Sequence, residues 1–298
     1  MSSLKLPGHI AALLERQHRD VGGRPADSAG IPWEGRDLSG VGNPVHFFEG
    51  DDGRTERGLE EARAALLAGE ADEADFVDAL TGLRLFVPVL ATTAEESTSQ
   101  RSHHVEAENS GLVGDKQADI SLISIHAGDG RQTMPLFSSV ATLRAWHPEA
   151  RPVAAEVERA ALAALAEGAE LAVLDPGAEL TFVLRRPALD ALAQGKRWTP
   201  SYQDPQIATA LEQVLDYCPG VAQLYVRPGE GVATITASGR PVAGGGSGPE
   251  LSIGVVPHSG ADPVDERLAL ASVHASLEDL TILRERADSV EISLRRAE

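Results

Sequence analysis

Apolar positions recur at helical spacing from residue 57 onward. In "GLEEARAALLAGE", Leu59, Ala62 and Leu66 share one face, and Gly69 can end the helix. "DEADFVDALTG" repeats the device with Phe76, Val77 and Leu80, stopped by Gly82. "LRLFVPVLA" is apolar on both faces and predicts a central strand, with Pro88 removing one ladder bond and implying a bulge or an irregular end. "ADISLISIHA" and "RQTMPLF" predict two strands joined by a two-residue type I′ turn at Asp129-Gly130. Ser138 or Ser139 then caps "VATLRAW", whose Val140, Leu143 and Trp146 form a stripe with Trp146 buried. "AAEVERAALAALAEG" predicts a helix burying Val157, Ala161, Ala164 and Leu165. "AELAVLDPG" and "ELTFVL" predict strands around a Pro-Gly turn, with Asp175 explained by a local side-chain turn bond. "PALDALAQG" is a helix stopped at Gly195.

After "KRWTPSYQDP", which reads as a linker, the pattern restarts on a smaller scale. "PQIATALEQVLDYCPG" is a helix with Ile207, Ala210, Leu211, Val214 and Leu215 facing in. "VAQLYVRPG", "VATITASG" and "ELSIGVVPH" are strands, "DERLALASVHASLEDL" is a helix, and "DSVEISLRR" is a closing strand. The run "AGGGSG" at 243–248 predicts a flexible hairpin loop. It lacks the Gly-Lys-Ser/Thr of a phosphate loop.

Two stretches break the pattern. A short amphipathic helix at 5–20, with Ile10, Leu13 and Leu14 on one side, precedes about thirty Gly/Pro-rich residues. Ile31, Trp33, Val45, Phe47 and Phe48 are spaced to anchor such an arm on the body. From Thr92 to Gly114 apolar residues are few and unperiodic, which predicts a loop or a disordered insertion. The organisation expected is an α/β (α+β) protein of two mixed-sheet domains with an irregular N-terminal arm. The arm is 1–56, partly disordered. The larger domain is 57–200 with a flexible insertion at 92–114, and the smaller is 201–298.

Composition narrows the function classes. Lys plus Arg is 26 against 45 Asp plus Glu, a net charge of −19. A body this anionic repels phosphate backbones and anionic lipid, so neither nucleic acid nor a membrane is expected as partner. The single cysteine, Cys218, excludes a disulfide framework within the chain and a cysteine-based structural zinc site. The N-terminus lacks the basic start and long apolar core of a signal peptide, and a cytoplasmic protein is expected.

Candidate chemistry is sparse. His103 and His104 are adjacent and point apart, without a further ligand at metal spacing. Cys218 follows a helix C-terminus, the negative end, and fits a packed structural thiol better than a nucleophile. His126 reads as a hairpin-rim histidine, and His274 as an exposed helical residue four before Glu278. No catalytic, metal or cofactor residues are assigned. Against the acidic background, Lys116, Arg185, Arg186, Lys196 and Arg197 stand out as a candidate anion site, the plainer reading being neutralisation of nearby acids.

The run "DKQADISLISIHAGDGRQTMPLFSSVATLRAWHPEARPV" resembles the SseB family, named for a serine-sensitivity phenotype. So do "AEGAELAVLDPGAELTFVLRRPALDALAQG" and the upstream "RDLSG", "NPVHFFEGDDG" and "GLRLFVPVLA". The likeness covers about residues 37–200, most specifically 115–195, and the piece after 201 is compatible with that family's C-terminal domain. The resemblance implies an α/β N-terminal domain and a cytoplasmic protein, and it carries no catalytic residues over. The function expected is non-enzymatic binding or regulation through contacts with a protein partner of unknown identity, without a cofactor. The alternative is a sensor or carrier of a small anionic metabolite such as an amino acid. The oligomeric state is left open.

Overall fold

The computed structural model describes residue 48, residues 51–92 and residues 119–295. The helix expected at 5–20, almost all of the arm, the insertion with His103 and His104, and Lys116 lie outside the described residues. The described parts of 51–91 and 120–295 belong to one compact α/β unit. Among them, no helix is long and apolar enough to cross a membrane.

The N-terminal half opens with α1 (Arg57–Ala68) and α2 (Glu73–Ala79). Asp72 caps α2 in a reciprocal box with Asp75, a device worth about 1 kcal/mol. β1 (Arg84–Thr92) follows and is central, flanked by β2 (Asp119–Leu122) and β5 (Arg151–Glu156). A second sheet has the order β3-β4-β6-β7, built from Ile125–His126, Gln132–Leu136, Leu171–Leu174 and Phe182–Arg185. The two sheets meet where Phe86 and Phe137 exchange both backbone hydrogen bonds, at 2.8 and 2.9 Å. Helices α3 (Val140–Trp146), α4 (Val157–Ala166) and α5 (Arg186–Ala193) complete this half. Its core joins Leu59 and Leu66 of α1, Phe76 of α2, Leu85 of β1, Phe182 of β7 and Leu189 of α5.

The C-terminal half begins with a single 3-10 turn (Ser201–Gln203) and α6 (Pro205–Leu215). Its sheet has the order β12-β11-β8, from Val290–Leu294, Leu251–Pro257 and Val221–Pro228, with β11 parallel to β12 and antiparallel to β8. Leu251, Ile253 and Val255 of β11 alternate toward Ile207 and Leu211 of α6 and toward Ala269 and Val273 of α7 (Pro263–Glu278). A short α8 (Thr281–Arg286) leads into β12. The hairpin β9–β10 (Ala233–Ile235 and Pro241–Gly245) packs on the other half, where Val242 joins the N-terminal core.

Several local expectations are corrected. The strand read through 118–127 breaks at Ile123-Ser124, and its two parts join different sheets. The turn after it is a three-residue loop. Gly130 N–H donates to Ala127 O and Ala127 N–H to Arg131 O, and Gly130 alone takes a positive φ of 90°. That is a type I turn closed by a left-handed glycine rather than a type I′ turn. Pro88 sits in an unshifted register opposite Pro152, so no bulge forms against β5. Neither proline needs to donate at that non-hydrogen-bonded pair. Residues 151–156, partly read as helix, are strand β5. Trp146 is half-buried, its ring 5.3 Å from that of Phe137. Asp175 is fully buried at φ 50° and bridges the fold instead of its own turn. Its carboxylate accepts from Arg63 Nη2 at 2.5 Å and from the Ser138 N–H at 2.8 Å.

The glycine run is the largest correction. Gly244, Gly245 and Gly246 are buried, and β10 runs through Gly245. A Cβ on Gly246 would lie 2.2 Å from Gly231 O and 2.4 Å from Ala233 O, and one on Gly245 would lie 2.4 Å from the Phe182 ring. Glycine lets backbone pack on backbone at 246 and on an aromatic ring at 245.

Candidate functional site

Two regions concentrate polar chemistry or exposed apolar surface. The first is the seam between the halves, organised by Arg185. Arg185 is the extended N-cap of α5 at the end of β7, with Pro187 in the first turn of the helix, and its side chain is turned inward at 1% exposure. Its Nη1 donates to Gly248 O at 2.8 Å and to Asp288 Oδ2 at 3.0 Å. Its Nη2 donates to Gly231 O at 3.0 Å and to Gly246 O at 2.7 Å. Asp288 Oδ2 also accepts from Arg131 Nη1 at 2.8 Å.

Two buried carboxylates extend the seam. Glu250 accepts from the Ser201 N–H at 3.1 Å and the Asp288 N–H at 2.7 Å. Glu73, on α2, accepts from Tyr202 Oη at 2.7 Å and the Gly245 N–H at 3.3 Å. Burial pushes the Glu73 carboxyl above the usual carboxylate range, opposed by the Tyr202 hydrogen bond and the Arg185 charge. Burial and the neighbouring Glu73 likewise push the Tyr202 phenol up. These groups tie Arg185 and Glu73 of one half to Tyr202, Asp288 and the glycine strap of the other. Their partners lie within the protein, which explains how charge is tolerated in its interior.

The basic residues singled out in the sequence part company here. Arg185 is interior, whereas Arg186 is exposed on the lining of a cleft of about 370 Å³. Lys196 and Arg197 lie beyond the opposite end of α5. Lys196 Nζ donates to Gln194 Oε1 at 2.7 Å, and Arg197 pairs with Asp75 at 3.0 Å. The structure instead brings Arg131 and Arg284 to the cleft beside Arg186. No sequence signal marked those two, since they come from a turn and a short helix far apart in the chain. Cys218 is buried in the C-terminal core, its sulfur 3.6 Å from Ser276 Oγ. His126 and His274 are exposed.

The second region lies at the end of the C-terminal sheet. Val221 pairs with Pro257 there, and the flanking Gly220 accepts from the His258 N–H at 3.3 Å. A cleft of about 600 Å³ opens between Pro219-Gly220, the 258–261 turn and the first turns of α7, lined by Leu268, Ala269, Asp265 and Ser272. Asp262 caps α7 through the Val264 and Asp265 N–H groups. The helix buries Ala269, Val273 and Leu277 on one side yet presents Val264 and Leu268 outward, 52% and 63% exposed. Tyr217, two residues before the cleft wall, is 78% exposed. Glu212 and Asp216 of the α6 end are exposed, as are Asp262 and Asp265.

The family model of the SseB protein N-terminal domain matches residues 59–191. These are the residues from within α1 through most of α5, and this stretch is similar to the SseB N-terminal domain. No curated protein and no solved structure matches the chain.

Proposed function

We propose that the protein is a non-enzymatic cytoplasmic binding or regulatory protein that acts through protein–protein contacts. The observation that carries this reading is the apolar face of α7 beside the larger cleft. Leu268 and Val264, four residues apart, share one helical face, and Tyr217 stands near the cleft wall. Large apolar groups concentrated at a cleft, with polar residues around them, are typical of a docking surface. Tyrosine is among the residues that most often dominate binding energy. The surrounding acids Glu212, Asp216, Asp262 and Asp265 favour a partner segment that presents an apolar anchor flanked by Lys or Arg.

The test compares tagged wild type with Leu268→Asp and Leu162→Asp, purified from the native host. Leu162 is also exposed, on α4 of the other half. The expected result is a discrete protein enriched by wild type and by Leu162→Asp and lost with Leu268→Asp. Equal recovery with all three, or no enriched protein, overturns the proposal.

A further inference from the structure

The smaller cleft, of about 370 Å³, lies over the seam, apart from the α7 face. Its walls come from both halves. Arg186 and Asp190 belong to α5, Arg284 and Glu285 to α8, and Asp288 is held by Arg131 and the buried Arg185. The charged groups of Arg186, Asp190, Arg284 and Glu285 have no hydrogen bond or ion pair among the described residues. Asp288, by contrast, is neutralised by two guanidiniums. Arginines are outnumbered by acids in this chain, yet two stand across one cleft without a partner among the described residues, with two such carboxylates beside them.

That arrangement selects against simple ions. A lone anion gripped by the arginines meets Asp190 and Glu285, and a lone cation gripped by the carboxylates meets Arg186 and Arg284. A molecule carrying both signs satisfies all four. We propose that this cleft binds a small zwitterion. Its acidic group, carboxylate or phosphate, is held by the planar forks of Arg186 and Arg284, and its amine by Asp190 and Glu285. Bound there, the ligand bridges α5 and α8 and so ties the two halves together.

The test is melting of the full chain with three probe sets at 10 mM. The first holds the twenty amino acids, γ-aminobutyrate, glycylglycine and phosphoethanolamine. The others hold acid-only and amine-only analogues, among them butyrate, butylamine, inorganic phosphate and ethanolamine. At least one zwitterion should raise the melting temperature saturably, by about 2 °C or more, while its two analogues do not. Phosphoethanolamine against γ-aminobutyrate distinguishes the two acidic groups. Arg186→Gln and Arg284→Gln, both at exposed positions, should each abolish the shift and leave unliganded melting unchanged. The proposal is overturned if no zwitterion acts, if an acid-only analogue acts as strongly, or if Arg284→Gln keeps the full response.

Discussion

Replacing Asp288 with alanine tests whether the buried seam is an obligatory part of the fold. The side chains of Arg185 and Asp288 are 1% and 5% exposed, so their pairing is shielded from water. Removing the carboxylate leaves the Arg185 charge buried with only the carbonyls of Gly231, Gly246 and Gly248 as acceptors. Breaking a buried pair from one side costs about 3–5 kcal/mol. The three carbonyls still satisfy both Nη atoms, which places the expected loss at the lower end, about 3 kcal/mol. For a compact unit of this size that lowers the melting temperature by roughly 6–12 °C. The assay is thermal and urea unfolding of wild type, Asp288→Ala, Arg185→Met and the double variant. The double variant should lose less than the sum of the singles, by roughly 1 kcal/mol or more, because it leaves no buried charge alone. Melting of Asp288→Ala within 1 °C of wild type would refute the reasoning and show that water reaches Arg185.

Other expectations follow from single contacts. Gly246→Ala should destabilise by about 3 kcal/mol in urea unfolding, because its Cβ meets backbone oxygens that cannot swing aside, while Gly128→Ala, with open space around it, should be near neutral. Trp146→Ala should cost less than about 3 kcal/mol, since the half-buried ring leaves part of its surface in water already. The carboxyl of Glu73 has a raised folded-state pKa. Its stabilising contribution is therefore present below the unfolded value of 4.5 and is lost as pH rises through the folded value. The stability of wild type relative to Glu73→Gln should fall as pH rises above 4.5, and a difference independent of pH between 4 and 8 would contradict the assignment.

The elements with strong periodicity were legible in the sequence. The stripes of α1, α2 and α6 and the central position of β1 emerge from spacing alone, and Ser139 caps α3 through Thr142. Strand β5 was hidden because "PVAAEV" runs into an alanine-rich helix, and strand pairing with β1 decides its conformation. The glycine run was misread because composition records flexibility in the unfolded chain. The run is instead packed in place, with Gly244 against Glu73, Gly245 against the Phe182 ring and Gly246 against the backbone of 231–233. Arg185 and Arg186 are indistinguishable as letters. The end of β7 and the start of α5 send one inside and leave the other at a cleft. The arginines beside Arg186 come from positions 131 and 284, which only tertiary folding brings together. The exposed side of α7 was obscured for a related reason. Val264 and Leu268 look like core residues until Ala269, Val273 and Leu277 are seen to fill the buried face.

The central claim, that the α7 face meets a protein partner, is tested most directly by placing a photo-crosslinking amino acid at position 268 and, separately, at position 162 in the native host. Both positions are exposed, so either probe reaches whatever lies against it. The account predicts one discrete protein adduct from position 268, weakened by Asp265→Lys, and none of the same mass from position 162. No adduct from position 268, or the same adducts from both positions, would contradict it.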